Sequence, residues 1–230
     1  MTSIMNRFEE IQSKILAATR SSGRKPGTVA LMAVTKTRIL PEIIEAWQAG
    51  IRLFGENRVQ EAALKIGEWP TERSAEWRLI GNLQRNKARK ALDLFSRVDS
   101  VDRLELAVDL QRILSERDSK VEVLLEVNTS GEPSKHGVSP ERTEKLFEGI
   151  LIHCPRVTIR GLMTVGPLGA DARAAAAAFS LLRELRDGLS ERLGFELPEL
   201  SMGMSEDFEM AIEQGSTCVR LGRALFGPRE

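Results

Sequence analysis

Short runs rich in β-branched and apolar residues alternate along this chain with stretches of helical spacing. That alternation constrains the fold more than any other feature. The strand-like runs cover residues 29–35, 51–54, 76–80, 97–101, 121–128, 157–165, 197–202 and 217–221. Helical patterns cover 40–48, 58–67, 83–94, 103–117, 140–150, 170–193 and 205–214, and a short RALFG follows the last strand. Parallel neighbours need a crossover between them, and a helix is the usual one. Repetition of such units predicts an α/β fold, a single (β/α)8 TIM barrel, with an open doubly wound sheet as its rival. One domain over residues 1–230 is expected, since that length fits one barrel and no Gly/Pro/Ser-rich linker divides it. Ahead of the first strand, Phe8, Ile11 and Ile15 fall at helical spacing, which predicts an extra N-terminal amphipathic helix. The ARAAAAAF run is explained by helix propensity alone.

Composition narrows function by exclusion. Basic and acidic residues number 33 each, so no net field draws nucleic acid or an anionic membrane. Arg85, Lys87, Arg89 and Lys90 therefore read as a solvated helix face. Two cysteines without a CxxC, Cys154 and Cys218, argue for a reduced, cytoplasmic chain with no disulfide framework and no zinc site. No apolar run reaches the roughly 18–20 residues of a membrane span, and the N-terminus lacks a signal peptide's apolar stretch. GxGxxG after a strand, GxxxxGK(S/T) and HExxH are all missing. His136 and His153 stand apart from any cysteine or carboxylate cluster, so neither metal nor Ser-His-Asp chemistry is expected. No exposed hydrophobic stripe stands out, and a monomer is expected.

A (β/α)8 barrel keeps its chemistry at the C-terminal ends of its strands. The residues read there are Lys36, Gly55-Glu56-Asn57, Gly81-Asn82, Asp99-Ser100, Asn128-Thr129-Ser130, Gly166-Pro167, Gly203-Met204-Ser205 and Gly222-Arg223. Glycine lets backbone approach a ligand closely, although loops are commonly glycine-rich in any case. Lys36 ends the run VALMAVTK. Burial disfavours an ammonium, so an amine at an apolar barrel mouth becomes a nucleophile able to form a Schiff base with a carbonyl. The alternative is a lysine that snorkels to solvent. Among the other lysines only Lys135 follows a strand closely enough to compete.

The segment SMGMSEDFE offers the Ser201 hydroxyl, the Gly203 backbone and Ser205 as an expected helix N-cap, while Gly222 and Arg223 open a second short helix. Loops after strands seven and eight are the usual phosphate position of this barrel, and ordinary capping is the competing reading. Arg220, on strand eight, is either a donor aimed at a ligand or half of an internal ion pair. Asn57 either caps a helix or contacts a bound ring.

A lysine at strand one and a phosphate cup at strands seven and eight suggest pyridoxal 5′-phosphate (PLP). The stretches AVTK, FGENRVQE, IGNLQRNK, VDSVD, EVNTSGEPSKHG, IRGLMTVGP and LSMGMSEDFEMAIEQGSTCVRLGRALFG resemble the pyridoxal phosphate homeostasis proteins, from about residue 29 to the end. That family is similar in fold to the N-terminal barrel of alanine racemase. The resemblance implies a cofactor-binding set of Lys36, Asn57, Ser201, Arg220, Gly222 and Arg223. Lys36 would carry the Schiff base, and Ser201 with the backbone of Gly222 and Arg223 would hold the phosphate. Arg220 would face the pyridine nitrogen and Asn57 the ring. Two departures are visible: Arg78 in WRLIG stands where relatives commonly carry histidine, and Lys135-His136-Gly137 varies from the usual loop. Both are expected to act on the rim.

The resemblance implies a regulator of PLP that delivers the cofactor to apo-forms of PLP-dependent enzymes. No catalytic residue is assigned. The chain has no tyrosine, the opposite-face base of alanine racemases, and it ends soon after VRLG with no second, β-rich domain. An arginine facing the pyridine nitrogen would keep that nitrogen unprotonated and the ring a weak electron sink. A weak PLP-dependent racemase using water or a thiol as second base is the alternative, and a cofactor-free aldolase-type barrel is a third reading.

Overall fold

The protein is described by a computed structural model covering residues 3–167, 169 and 171–228. Ala170, where the seventh helical pattern was expected to begin, lies outside the described residues. Eight parallel strands close into a barrel in chain order. They are β1 (Ala30–Val34), β2 (Leu53–Glu56), β3 (Glu76–Leu79), β4 (Arg97–Val101), β5 (Val121–Glu126), β6 (Val157–Met163), β7 (Glu199–Ser201) and β8 (Cys218–Leu221). Closure runs from Ala30 opposite Cys218 to Ala33 opposite Leu221. The open doubly wound sheet is thereby ruled out.

The helices are α1 (Ile4–Ser21), α2 (Leu40–Gln48), α3 (Val59–Gly67), α4 (Ala88–Leu94), α5 (Leu104–Glu116), α6 (Pro140–His153), α7 (Ala172–Leu193), α8 (Phe208–Glu213) and α9 (Arg223–Phe226). α1 is the expected extra helix. It buries Ile4, Ile11, Ile15 and Ala18 against α8 and α9, and so braces the elements that carry the C-terminal loops. The fourth helical pattern begins later than expected, as a 3-10 turn over Arg85–Lys87 that leads into α4. Two of the basic cluster there are paired: Arg85 with Asp109, and Arg89 with Glu116.

Alternation along each strand splits the buried residues in two. Val219 and Leu221 join the large core between sheet and helices, with Phe54, Leu79, Leu110, Phe147 and Phe179. Inside the barrel the apolar set is small: Met32, Val34, Ile80, Leu124, Met163 and Cys218. Charged groups fill the rest. At the N-terminal ends of the strands Glu199 accepts from both Arg78 and Arg97, and Arg97 also pairs with Glu122. Arg78 Nε reaches Glu76 at 2.6 Å, and its Nη1 lies 3.9 Å from Asp99.

This overturns the expected place of Arg78. The guanidinium is not on the rim; it lies in the barrel floor, bridging β3 to β7. Removing one member of a buried ionic cluster strands the others without compensation. Arg78→Met should therefore lower unfolding free energy by about 3–5 kcal/mol. Urea unfolding monitored by tryptophan fluorescence measures this, and an unchanged midpoint would contradict the floor's role.

Candidate functional site

At the opposite end of the barrel lies a cavity of about 560 Å³, lined among others by Lys36, Asn57, Arg220, Gly222 and Arg223. Five of the six residues singled out in the sequence thus meet at one mouth. Lys36 stands two residues past the end of β1, after Thr35, and is half-buried in a turn. Thr37, next in the chain, has φ +64°, a left-handed conformation that a β-branched residue rarely adopts. Such backbone costs on the order of 1–3 kcal/mol and persists only where neighbours hold it.

Arg220 is 4% exposed. Its Nη1 donates to Ser201 Oγ at 2.9 Å and its Nη2 to the Thr164 carbonyl at 2.7 Å. Both partners are neutral oxygens, so neither an ion pair nor solvent anchors the guanidinium. Burial lowers its pKa from the ordinary value, yet an arginine stays charged in a protein. Ser201 is the sixth expected residue. It is fully buried behind Arg220 and is not part of the cavity wall; Ser205 is.

Two expected caps are not caps. Ser205 does not open α8, which starts at Phe208 after Asp207. Its hydroxyl accepts from the Ala224 N–H at 3.1 Å and ties the loop after β7 to α9. Asn57 does not cap α3, whose N-cap is Arg58; its Oδ1 is buried and has no hydrogen-bond partner. A buried amide oxygen without a partner is costly unless a ligand meets it.

Glycines let these loops pack. A Cβ on Gly81 would lie 2.2 Å from the Asn57 carbonyl, so no side chain fits beside that backbone. Gly203 has φ +95°, and its Cβ would sit 2.5 Å from that of Ala211.

Several expected rim residues are interior. Glu56 belongs to β2 and is fully buried, accepting from Thr35 Oγ1 at 2.6 Å and Lys65 Nζ at 2.7 Å. Asp99 and Ser100 lie within β4. Lys135, the competing lysine, donates to the Gly166 carbonyl at 2.8 Å and pairs with Glu132 at the same distance. His136 contacts Asn82 at 2.9 Å, linking the loops after β3 and β5. Among the described residues no group of His, Cys, Asp and Glu could hold a metal ion, and no helix is long and apolar enough to cross a membrane.

The family model for the alanine racemase N-terminal domain matches residues 9–230. A pyridoxal phosphate homeostasis protein of Vibrio cholerae is 41% identical over 233 residues, covering 100% of this chain and 98% of its own. This chain belongs to that family. PipY of Synechococcus elongatus, solved with PLP bound, is 39% identical with a TM-score of 0.82, covering 94% of this chain and 100% of PipY. Alanine racemase of Corynebacterium glutamicum has a TM-score of 0.69 at 19% identity, covering 94% of this chain and 60% of the racemase. That last likeness is one of fold alone. The family's barrel is the one expected from the alternation of elements.

Between floor and mouth, Asp99 is fully buried and neither oxygen makes a hydrogen bond. Burial pushes its carboxyl up to about 7 from an ordinary 3.8, against the pull of Arg78. Burial likewise raises Glu126 from 4.5 to about 7. The folded state thus holds these protons at pH values where the unfolded chain has released them. Their stabilising contribution is complete below pH 4 and is lost as pH rises through 7. Asp99→Asn should remove part of this dependence, so that the variant gains on the wild type between pH 5 and pH 8. Urea midpoints at both values measure it; a difference independent of pH would contradict the assignment.

Proposed function

We propose that this protein binds PLP, holds it as a Schiff base on Lys36, and limits or delivers the cofactor inside the cell. The observation that carries the reading is one cavity gathering Lys36, Asn57, Arg220, Gly222 and Arg223 in a chain whose relative PipY is solved with PLP bound. The residues fit the group: the Asn57 amide oxygen is buried without a partner, and Arg220 is a permanent donor held at the cavity. Bound PLP supplies a reactive aldehyde. Lys36 contributes the amine that captures it. Gly222 and Arg223 contribute backbone to the phosphate end, with Ser205 on the wall. Ser201 accepts from Arg220 and orients it from behind. Arg220, a permanent donor, would meet the pyridine nitrogen and leave it unprotonated.

A carrier needs reversible capture and phosphate release, and no proton abstraction. Three features support that role over racemisation. The sequence contains no tyrosine. Cys218 is buried, and burial pushes its thiol up to about 12, so it is neutral and a poor second base near pH 7. Arg220 disfavours the ring as an electron sink. In this reading the protein is a cytoplasmic monomer that exchanges PLP with apo-forms of PLP-dependent enzymes.

The test is a visible spectrum of protein incubated with PLP, before and after borohydride, with Lys36→Ala alongside. A yellow wild type, fixed by reduction with the label on Lys36, and a variant lacking the label are expected. Wild type that gains no colour would overturn the cofactor reading. Solvent deuterium entering an amino acid's α position would instead favour the racemase alternative.

A further inference from the structure

Lys65, on α3, is a second lysine beside the mouth that takes no part in lining the cavity. Its side chain is 10% exposed. An ammonium has three hydrogens to donate. Lys65 Nζ has three acceptors: the Thr35 carbonyl at 2.6 Å, Glu56 Oε1 at 2.7 Å and Glu61 Oε1 at 2.7 Å. The same Glu56 oxygen accepts the Thr35 hydroxyl, and the same Glu61 oxygen accepts the Thr37 N–H. Thr35 and Thr37 are the two neighbours of Lys36. Both are therefore tied to one charged cluster, and one of them stands in the left-handed conformation.

We propose that Lys65 is a positioning residue for Lys36. Its ammonium joins Glu56 and Glu61 into a clamp that holds the turn in its strained form and so aims the Lys36 amine at the cofactor's carbonyl. This rests on the reading that Lys36 is the point of attachment. In that step the Lys36 nitrogen bonds to the aldehyde carbon, the aldehyde oxygen leaves as water, and nothing is oxidised or reduced. The clamp acts on capture, whereas the phosphate loops after β7 and β8 act on retention. Removing Lys65 should therefore weaken covalent attachment while leaving non-covalent recognition of ring and phosphate in place.

Two probes separate these terms in the full-length protein. PLP reports attachment, through absorbance and borohydride-trapped mass on Lys36. Pyridoxine 5′-phosphate, which has the ring and phosphate but no aldehyde, reports recognition by calorimetry. For Lys65→Met the attachment constant should fall about tenfold, the worth of one charge-assisted hydrogen bond, with little change for pyridoxine 5′-phosphate. Should Lys65→Met fail to fold, Glu61→Ala takes its place, because Glu61 is the more exposed arm and holds Thr37 alone. Glu61→Gln keeps an oxygen for the Thr37 N–H and should restore attachment. Attachment unchanged in both Lys65→Met and Glu61→Ala, or both probes weakened in parallel with the thermal midpoint, would overturn the clamp. A wild type that captures neither probe would overturn the cofactor reading together with it, and is distinguished by failing before any substitution is made.

Discussion

Glu199 receives two guanidiniums inside the barrel, Arg78 from β3 and Arg97 from β4, and the remaining structure is arranged around that contact. A closed eight-stranded barrel has a fixed interior that side chains must fill. Here few apolar residues point inward, and the floor is filled by ions instead. Desolvated charges are tolerable only when paired, so the floor is a linked set in which each charge has a partner. Such a cluster contributes geometry more than net stability. It holds opposite strands at one spacing, and that spacing sets the width of the mouth above.

Charge changes character going up the barrel. In the floor, carboxylates and guanidiniums meet directly. One layer higher Asp99 has only a distant ionic neighbour, and burial favours its protonated form. At the mouth Arg220 is held by neutral oxygens of β7 and of Thr164 just past β6, which fix its direction without cancelling its charge. An uncancelled, oriented cation in a low-dielectric wall is a strong donor for a ligand. Just past the neighbouring strand β1, Lys36 sits in a turn whose flanking residues are tied to Glu56, Lys65 and Glu61. Rigid anchoring below and strained anchoring beside the amine are two ways of preparing a site before its ligand arrives.

Much of this was legible in the residues. Period-2 and period-3.6 patterns located the eight strands and the longer helices, because each such element must show one apolar face to the layer between sheet and helices. Lys36, Asn57, Gly222 and Arg223 could be placed at the mouth because strand ends in a barrel all face one way. The misreadings share one cause. Ser205 reads locally as a helix cap, and nothing local shows that its hydroxyl meets the Ala224 N–H instead; the packing of the loop after β7 on α9 decides it. Glu56 looked like a loop carboxylate until Lys65, nine residues on, was seen to fold back beneath it. Arg78 looked like a rim substitution because its partner Glu199 is 121 residues away. A signal did exist for Lys65: it lies four residues after Glu61, the helical spacing of an ion pair.

By itself the sequence determined the kind of fold, the order of its elements, the absence of a net charge that would draw polyanions, and the identities of the amine and of the arginine on β8. These depend on local periodicity and on side-chain chemistry, which each residue carries wherever it is placed. Only the tertiary structure decided which charges are paired, which serine faces the cavity, and which buried lysine is tied to the neighbours of Lys36. Those outcomes depend on distances between residues remote in the chain. Such distances exist only once the barrel has closed and burial has made every unpaired polar group costly.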